Sequence, residues 1–139
     1  MANIGRNIAE ALRRLEQARY DLEAAQDSHK TNHNEWACFQ AQQAAEKALK
    51  AYLFAKRQQP FAIHSVGALL ELCKEEKLDI AGIKNSIVLD SYYVPARYPN
   101  GVPYGTVPHK AFSSEQAKGA IELASRLIDV ITKNIGQKT

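Results

Sequence analysis

The placement of proline divides this chain into segments that can be helical and segments that cannot. Its 139 residues hold five prolines: Pro60 stands alone, and the other four fall within residues 94–112. Proline fixes φ and lacks the backbone N–H that a helix interior requires, so regular helix is excluded from both places but not from the chain before Pro60. Because 94–112 is long for a structureless loop in a compact domain, we expect it to be functional or packed against the rest of the chain.

Apolar side chains recur at helical spacing on both sides of that segment. The pattern predicts five helices, over residues 7–28, 35–58, 64–76, 78–93 and 113–135. Asn34 is expected to cap the second helix, and Ser113 with Gln116 gives the last one a capping-box pattern. The sequence therefore predicts one domain, residues 1–139, that is an all-α bundle of four to five helices with a long proline-bearing loop before the last helix.

One side of the predicted second helix is made of unusually small residues. These are Ala37, Ala41, Ala44, Ala45, Ala48, Ala51 and Ala55. Small side chains let a neighbouring helix approach to about 8 Å between axes. Aromatic and leucine side chains widen the apolar surface beyond a single stripe, so we expect this to be the central helix, with neighbours on more than one side.

Charge and composition exclude several classes of protein. A net charge of +3 is far below what a protein needs to hold duplex DNA by phosphate neutralisation alone. No run approaches the roughly 18 apolar residues of a membrane span, and Cys38 and Cys73 fit neither a zinc site nor a secreted disulfide framework. His29 and His33 fall in a polar turn, so no metal site is predicted, and no cofactor-binding motif is present. We expect a cytoplasmic protein with no cofactor and with no membrane or duplex-DNA partner.

Four polar residues of the second helix share one side, at spacings of three and four. They are Gln43, Glu46, Lys47 and Lys50. Two interpretations remain open at this point. The side is either a solvated face with a Glu46–Lys50 ion pair, worth at most a few tenths of a kcal/mol, or the basic wall of a site for an anion.

The proline-bearing segment supplies a second cluster. It consists of Tyr92, Tyr93, Arg97 and Tyr98 and, further along, Tyr104 and His109. An arginine flanked by tyrosines can hold a phosphate through a bidentate hydrogen bond while a ring stacks on a base. Alternatively, Tyr92 and Tyr98 pack the loop onto the bundle and Arg97 caps the carboxyl ends of helices. Residue chemistry alone leaves both interpretations open.

Two stretches carry a family resemblance. Residues 38–51, CFQAQQAAEKALKA, and residues 89–100, LDSYYVPARYPN, resemble signature segments of the HEPN family (higher eukaryotes and prokaryotes nucleotide-binding). The opening LxxAxxDLxxA of residues 15–25 and His64 before a leucine-rich helix fit as well, so that the resemblance spans about residues 9–135 in the family's order. It implies an up-and-down helical bundle that dimerises through its central helices.

The resemblance implies one of two activities. Many HEPN proteins are metal-independent ribonucleases, often toxins, that use an Arg-x4–6-His motif at the dimer cleft, whereas others bind nucleotides without that chemistry. Counted from Arg97, the histidine would fall within residues 102–104, where the chain reads VPY, and His109 comes too late. Tyrosine is a poor proton-transfer group near neutral pH, so the sequence argues against a nuclease, although His64 offers an imidazole from another helix.

We therefore expect a non-catalytic HEPN module that binds a nucleotide such as GTP or ATP, or another phosphate ligand, and forms a homodimer, as part of a larger chaperone-like protein. The alternatives are a metal-independent endoribonuclease or toxin, with RNA as its partner, and a purely structural dimerisation domain. The predicted ligand-binding residues are Lys47, Lys50, His64, Tyr93, Arg97 and Tyr98. The two lysines and the arginine would hold phosphates, the tyrosines would stack or hydrogen-bond, and His64 would lie at the rim. No residue is predicted to be catalytic.

Overall fold

A computed structural model describes residues 5–135 of the chain. Within that range it contains five α-helices, two 3-10 helices and no strand. The α-helices are α1 (Arg6–Lys30), α2 (Asn34–Ala55), α3 (Val66–Glu75), α4 (Pro108–Ala111) and α5 (Ser114–Asn134). The 3-10 helices are Lys84–Tyr92 and Pro99–Gly101. The predicted all-α bundle is confirmed, and α1, α2 and α5 pack on one another as its body.

The α2 helix lies at the centre of the bundle, as its alanine-rich side predicts. It packs against α1, α5, α3, α4 and the Lys84–Tyr92 helix, and 15 of its 22 residues are buried. Small residues are buried in all three long helices. They are Ala11, Ala18 and Ala25 in α1, Ala37, Ala41, Ala44, Ala45, Ala48 and Ala51 in α2, and Ala117, Ala120 and Ala124 in α5. Because such side chains allow helices to approach closely, α2 is held from several sides and forms a rigid base for the polar groups it carries.

The prediction of an α-helix over residues 78–93 is wrong. The chain turns over residues 76–83 and then forms the 3-10 helix Lys84–Tyr92. The Asp79 side chain accepts a hydrogen bond from the Ala81 N–H at 3.0 Å, a local bond that competes with helix formation. Ile87 and Val88 are 57% and 45% exposed, so the apolar pattern in this stretch does not mark a single buried face.

The two predicted helix caps have different outcomes. At α5, the Gln116 N–H donates to Ser113 Oγ at 3.0 Å and the Ser113 N–H donates to the Gln116 side chain at 2.8 Å, which is the predicted capping box. The predicted cap at Asn34 is wrong, because α2 begins at Asn34 itself and is preceded by His33, which makes no side-chain cap bond. The turn before it is tight, with Asn32 in the left-handed region at a φ of 63°, so the helix starts one residue earlier than expected.

The proline-bearing segment is packed against the bundle at its ends. Ala96 and Phe112 are buried, and the Phe112 ring meets the Tyr92 ring edge-on at 5.6 Å between centroids. Gly101 is required by a close approach within the segment, because a Cβ atom there would lie 2.8 Å from the Pro95 Cα. Tyr104, between these anchors, is fully exposed. The segment is therefore fixed where it joins the helices and projects in its middle.

Both cysteines are structural side chains. Cys38 and Cys73 are free and buried, and burial raises the pKa of each thiol to about 12, with a smaller contribution from Glu35 and Glu76 respectively. A thiol in that state is a poor nucleophile. Across residues 5–135, no helix is long and apolar enough to cross a bilayer, and no three His, Cys, Asp or Glu side chains gather where a metal ion would bind.

Candidate functional site

One side of α2 carries a row of larger side chains. The row consists of Phe39, Gln43, Glu46 and Lys50. Spacings of four, three and four place these residues along one face of the helix. The loop before α3 and the segment 92–98 lie against this row, because His64 reaches Glu46 and Arg97 reaches Phe39.

The Glu46 carboxylate lies in the middle of the row and is only 4% exposed. Its Oε2 accepts a hydrogen bond from the Lys50 ammonium at 2.9 Å and lies 3.2 Å from His64 Nδ1. Its Oε1 accepts longer bonds from the side-chain amides of Gln42 and Gln43, at 3.4 and 3.5 Å. A buried charge without partners is strongly destabilising, and these four donors compensate for it. The Glu46–Lys50 ion pair considered from the spacing is present, but it is buried and not part of a solvated face.

His64 is held to α2 at two points. The Gln42 amide donates to the His64 carbonyl at 3.1 Å, and the imidazole Nδ1 meets Glu46. Because a carboxylate only accepts hydrogen bonds, Nδ1 carries the proton and Nε2 is the nitrogen left for a ligand. The ring also stacks on Tyr93, with centroids 6.0 Å apart and planes 15° apart, and the side chain is 55% exposed.

Arg97 lies among three aromatic rings. Its guanidinium carbon is 4.4 Å from the ring centroid of Tyr93, 4.6 Å from that of Phe39 and 4.9 Å from that of Tyr98. Its Nε donates to the Tyr93 carbonyl at 2.8 Å. In the described part of the chain, neither Nη atom has a hydrogen-bond partner, and no carboxylate pairs with the guanidinium. The rings and the Nε bond therefore fix the plane of a cation whose outer edge remains available to an oxyanion.

Comparison with known proteins identifies the fold. The HEPN domain family model matches residues 11–135. The chain belongs to the HEPN domain family. Human sacsin is 31% identical over 136 residues, which are 95% of this chain and 3% of sacsin. Residues 34–39 and 112–115 predict this likeness to sacsin in particular, and the match confirms it.

Solved structures agree with the family assignment. TT1696 from Thermus thermophilus is 37% identical with a TM-score of 0.82, over 88% of this chain and 96% of that one. ST0689, an archaeal HEPN homologue, is 31% identical with a TM-score of 0.74, over 90% and 97% of the two chains. An HEPN domain protein from Thermotoga maritima is 22% identical with a TM-score of 0.70, over 90% and 98%, and shares the fold.

The HEPN domain brings five of its six predicted site residues into one connected cluster. In order of contact they are Lys50, His64, Tyr93, Arg97 and Tyr98, with Glu46 joining the first two. The Lys50 ammonium is mostly buried and pairs with Glu46, and the side chain lines the groove between α1 and α2 and does not reach Arg97 directly. We call the outer part of the cluster, His64 with Tyr93, Arg97 and Tyr98, the Arg97 site.

Lys47 lies outside the Arg97 site. Its Nζ donates to Asp21 of α1 at 2.6 Å, and it lines a groove of about 590 Å³ between α1 and α2 together with Arg13 and Arg14. Both arginines pair with Glu10, at 2.9 and 2.6 Å. Lys50 and Glu16 line the same groove. Its four cations are balanced by four carboxylates, which are Glu10, shared by the two arginines, Asp21, Glu46 and Glu16, so the groove offers no net positive charge for a phosphate.

Sequence reasoning missed three residues that shape the Arg97 site. Glu46 was predicted only as the ion-pair partner of Lys50 and not as the buried carboxylate that positions His64, although its spacing to Lys50 placed it on the face of α2 that carries the site. Phe39, seven residues before Glu46, lies on the same helical face and could have been found from that periodicity. Nothing local in the sequence pointed to Asp90.

Asp90 joins the two segments that carry the Arg97 site, which are the loop before α3 with His64 and the segment that leads from the Lys84–Tyr92 helix to Arg97. Its Oδ1 accepts from the Val66 N–H at 2.6 Å, and its Oδ2 accepts from the Gly67 N–H at 2.9 Å and from Ser65 Oγ at 3.0 Å. The carboxylate therefore caps the start of α3, next to His64, from the 3-10 helix that leads to Tyr93. Gly67 leaves room for the 3-10 helix to pack here, since a Cβ atom there would lie 2.8 Å from Ile87 Cδ1 and 3.4 Å from Asp90 Oδ2.

We predict that Asp90→Ala lowers the free energy of unfolding by about 1–2 kcal/mol, because it removes three hydrogen bonds at a helix start. Urea denaturation measures this change. Asp129→Ala removes an exposed carboxylate of α5 and is the matched control, expected to stay within about 0.5 kcal/mol of the wild type. Equal stability of Asp90→Ala and Asp129→Ala would show that the Asp90 bonds do not hold the site together.

Proposed function

We propose that this HEPN domain is a non-catalytic module that binds a phosphate-bearing ligand, a nucleotide such as GTP or ATP, at the Arg97 site, and that it forms a homodimer. The observation that carries the proposal is the state of Arg97. Its guanidinium is stacked among three rings, bonded through Nε, and without a carboxylate partner in the described residues. A planar cation with two free Nη groups matches the geometry of two phosphate oxygens.

Each part of the site has a separate task in this proposal. Arg97 holds phosphate oxygens, and Tyr93 and Tyr98 fix its plane. His64 lies beside Tyr93 and offers Nε2 as a further contact to the ligand. Lys50 neutralises Glu46, so that the buried carboxylate does not repel an incoming anion.

We predict that Arg97→Ala weakens the binding of GTP and ATP by about tenfold or more, because charge-assisted hydrogen bonds are each worth about 1.5–3 kcal/mol. Arg97→Lys keeps the charge but loses the planar fork, and we expect it to recover only part of the affinity. Titration calorimetry measures both changes. Arg13→Ala, which removes an exposed cation of α1, is the control for net charge and should leave binding unchanged. Absence of heat from both nucleotides, or equal affinity of Arg97→Ala and wild type, would contradict the proposal.

The homodimer is proposed from exposed aromatic surface next to the Arg97 site. Trp36 is 43% exposed and Tyr98 is 49% exposed, and they lie on either side of Phe39 and Arg97 in the chain of ring contacts. Large aromatic side chains at the surface of a small domain gain most by burial against another protein surface. A second copy of this chain, as the family resemblance implies, would cover Trp36 and leave the Tyr98 ring beside Arg97 open to the ligand.

We predict that the protein sediments as a dimer at micromolar concentration and that Trp36→Ala weakens the dimer by about tenfold or more. Analytical ultracentrifugation measures the dissociation constant. Tyr104→Ala is the matched control, since Tyr104 is also an exposed aromatic but lies in the projecting part of the proline-bearing segment. A monomeric wild type would refute the dimer, and an unchanged dissociation constant for Trp36→Ala would refute this surface. A dimer that binds no phosphate ligand would instead support a purely structural dimerisation domain.

The pairing of Glu46 with His64 favours endoribonuclease activity as a second candidate function. A buried carboxylate that fixes the Nδ1 proton leaves Nε2 able to take the proton of an RNA 2′-hydroxyl. That oxygen would then attack the adjacent phosphorus, and the 5′-oxygen would leave with a proton returned by the imidazolium, giving a 2′,3′-cyclic phosphate. Arg97 would neutralise the phosphate oxygens during this step.

Incubation with end-labelled RNA in EDTA separates the two functions. As a binding module, the wild-type domain is expected to leave the RNA intact. Steady cleavage that disappears in both His64→Ala and Arg97→Ala would establish the nuclease in its place. Cleavage that persists in each of the two variants would come from a contaminating nuclease, because each variant lacks one of the two groups that the mechanism requires.

Two expectations about the wider protein stay predictions. The family resemblance is the basis for placing the domain in a larger chaperone-like protein, and for a cytoplasmic location. The match covers 3% of sacsin and 96% of the solved TT1696 chain.

A further inference from the structure

We infer that the Arg97 site recognises the phosphate chain of its ligand and does not select the base. This inference rests on the proposed function and narrows its ligand class to nucleoside polyphosphates of any base and to inorganic polyphosphate. It follows from which groups around Arg97 are already engaged and which remain free.

The aromatic rings of the site are engaged with one another and with Arg97. Tyr93 contacts His64, Phe39 and the guanidinium, and Phe39 contacts Trp36 as well. Tyr98 has the most open ring of those around Arg97, with 49% of its surface exposed. Stacking on one open ring adds affinity for any base, because every base has a π-face, so it supplies no selectivity.

Selection of a base needs fixed donors or acceptors that meet its hydrogen-bonding edge. Side-chain amides are suited to this, but those nearest the site point inward. The Gln42 amide donates to Glu46 and to the His64 carbonyl, and the Gln43 amide donates to Gln42 Oε1 at 2.8 Å and to Glu46. Withdrawing either amide for a ligand would remove a donor from the buried carboxylate, which is unfavourable.

The groups left for a ligand do not distinguish bases. They are the Nη atoms of Arg97, Nε2 of His64, and the hydroxyl groups of Tyr93 and Tyr98, none of which has a hydrogen-bond partner in the described residues. A phenolic hydroxyl both donates and accepts, so it accommodates either kind of base edge. Nε2 of His64 is a single acceptor, and every base offers an N–H to it, so it does not select among bases either. The strongest of these contacts, made by the arginine fork, favours phosphate oxygens.

Titration calorimetry without metal ions, on the full chain, tests this inference. The ligands are ATP, GTP, CTP, UTP and sodium tripolyphosphate, with adenosine and guanosine as controls that lack phosphate. We expect the four nucleotides to bind within about threefold of one another, tripolyphosphate to bind within about tenfold of them, and the nucleosides not to bind. Arg97→Ala should weaken all five anions by a similar factor. Tyr98→Ala should weaken the four nucleotides by a similar factor and by more than it weakens tripolyphosphate, because tripolyphosphate loses only the support that Tyr98 gives to the Arg97 guanidinium and no base stacking.

The outcomes separate this inference from the proposed function. Preference for one base by tenfold or more, or binding of nucleotides with none of tripolyphosphate, would overturn base-independent recognition while leaving a nucleotide-binding module intact. If none of the five anions binds, both the inference and the proposed function fail. Binding that persists unchanged in Arg97→Ala would place the phosphate elsewhere and overturn both as well.

Discussion

The buried carboxylate of Glu46 determines how the polar side chains around it are arranged. A carboxylate withheld from water must be surrounded by donors, and those of Glu46 come from α2 itself and from the loop before α3. Loss of one partner from such a group costs about 3–5 kcal/mol, far more than an exposed ion pair contributes. The position of His64, and through its ring the position of Tyr93, therefore follows from the need to satisfy one charge on α2.

The alanine-rich packing of α2 makes that arrangement possible. Small residues allow α1 and α5 to lie close to α2, so its remaining surface meets α3 and the segment that leads to Arg97. A central helix of larger side chains would hold its neighbours farther apart and give its polar groups access to water. The small residues of α2 thus determine how the helices pack, and the polar row of the same helix positions the side chains of the site.

Much of the fold was predictable because its signals are local. The periodicity of α1 and α2, the alanines of α2 and the Ser113–Gln116 capping box each depend on residues within a few turns of one another. The helix predicted over residues 78–93 failed because two of its polar residues make bonds that apolar spacing does not describe, the first of them the local bond from the Ala81 N–H to Asp79. Its Asp90 is taken up by the start of α3, more than 20 residues earlier in the chain, and apolar spacing carries no record of such a bond.

The residue types of the site were predictable from the sequence, but most of the contacts between them were not. Lys47 and Lys50 are three residues apart on one helix, yet one pairs with Asp21 of α1 and the other with Glu46. The Glu46–Lys50 pair follows from spacing within α2, whereas the Lys47–Asp21 pair is decided by how α1 packs on α2, which spacing does not report. The three rings around Arg97 come from α2 and from two positions near the arginine, so only the tyrosines could be associated with it from their proximity in sequence.

The hydrogen bond from Arg97 Nε to the Tyr93 carbonyl orders the arginine side chain before any ligand binds. A long side chain in water explores many rotamers, and ordering it on ligand arrival costs about 0.5–1.5 kcal/mol. Arg97 loses that conformational entropy when the chain folds. The entropy cost therefore lowers the free energy of unfolding of the domain and does not weaken the binding of the ligand. A substitution that loosens residues 92–98 would leave Arg97 to be ordered when the ligand binds. It would therefore lower the affinity, even at a position that does not touch the ligand.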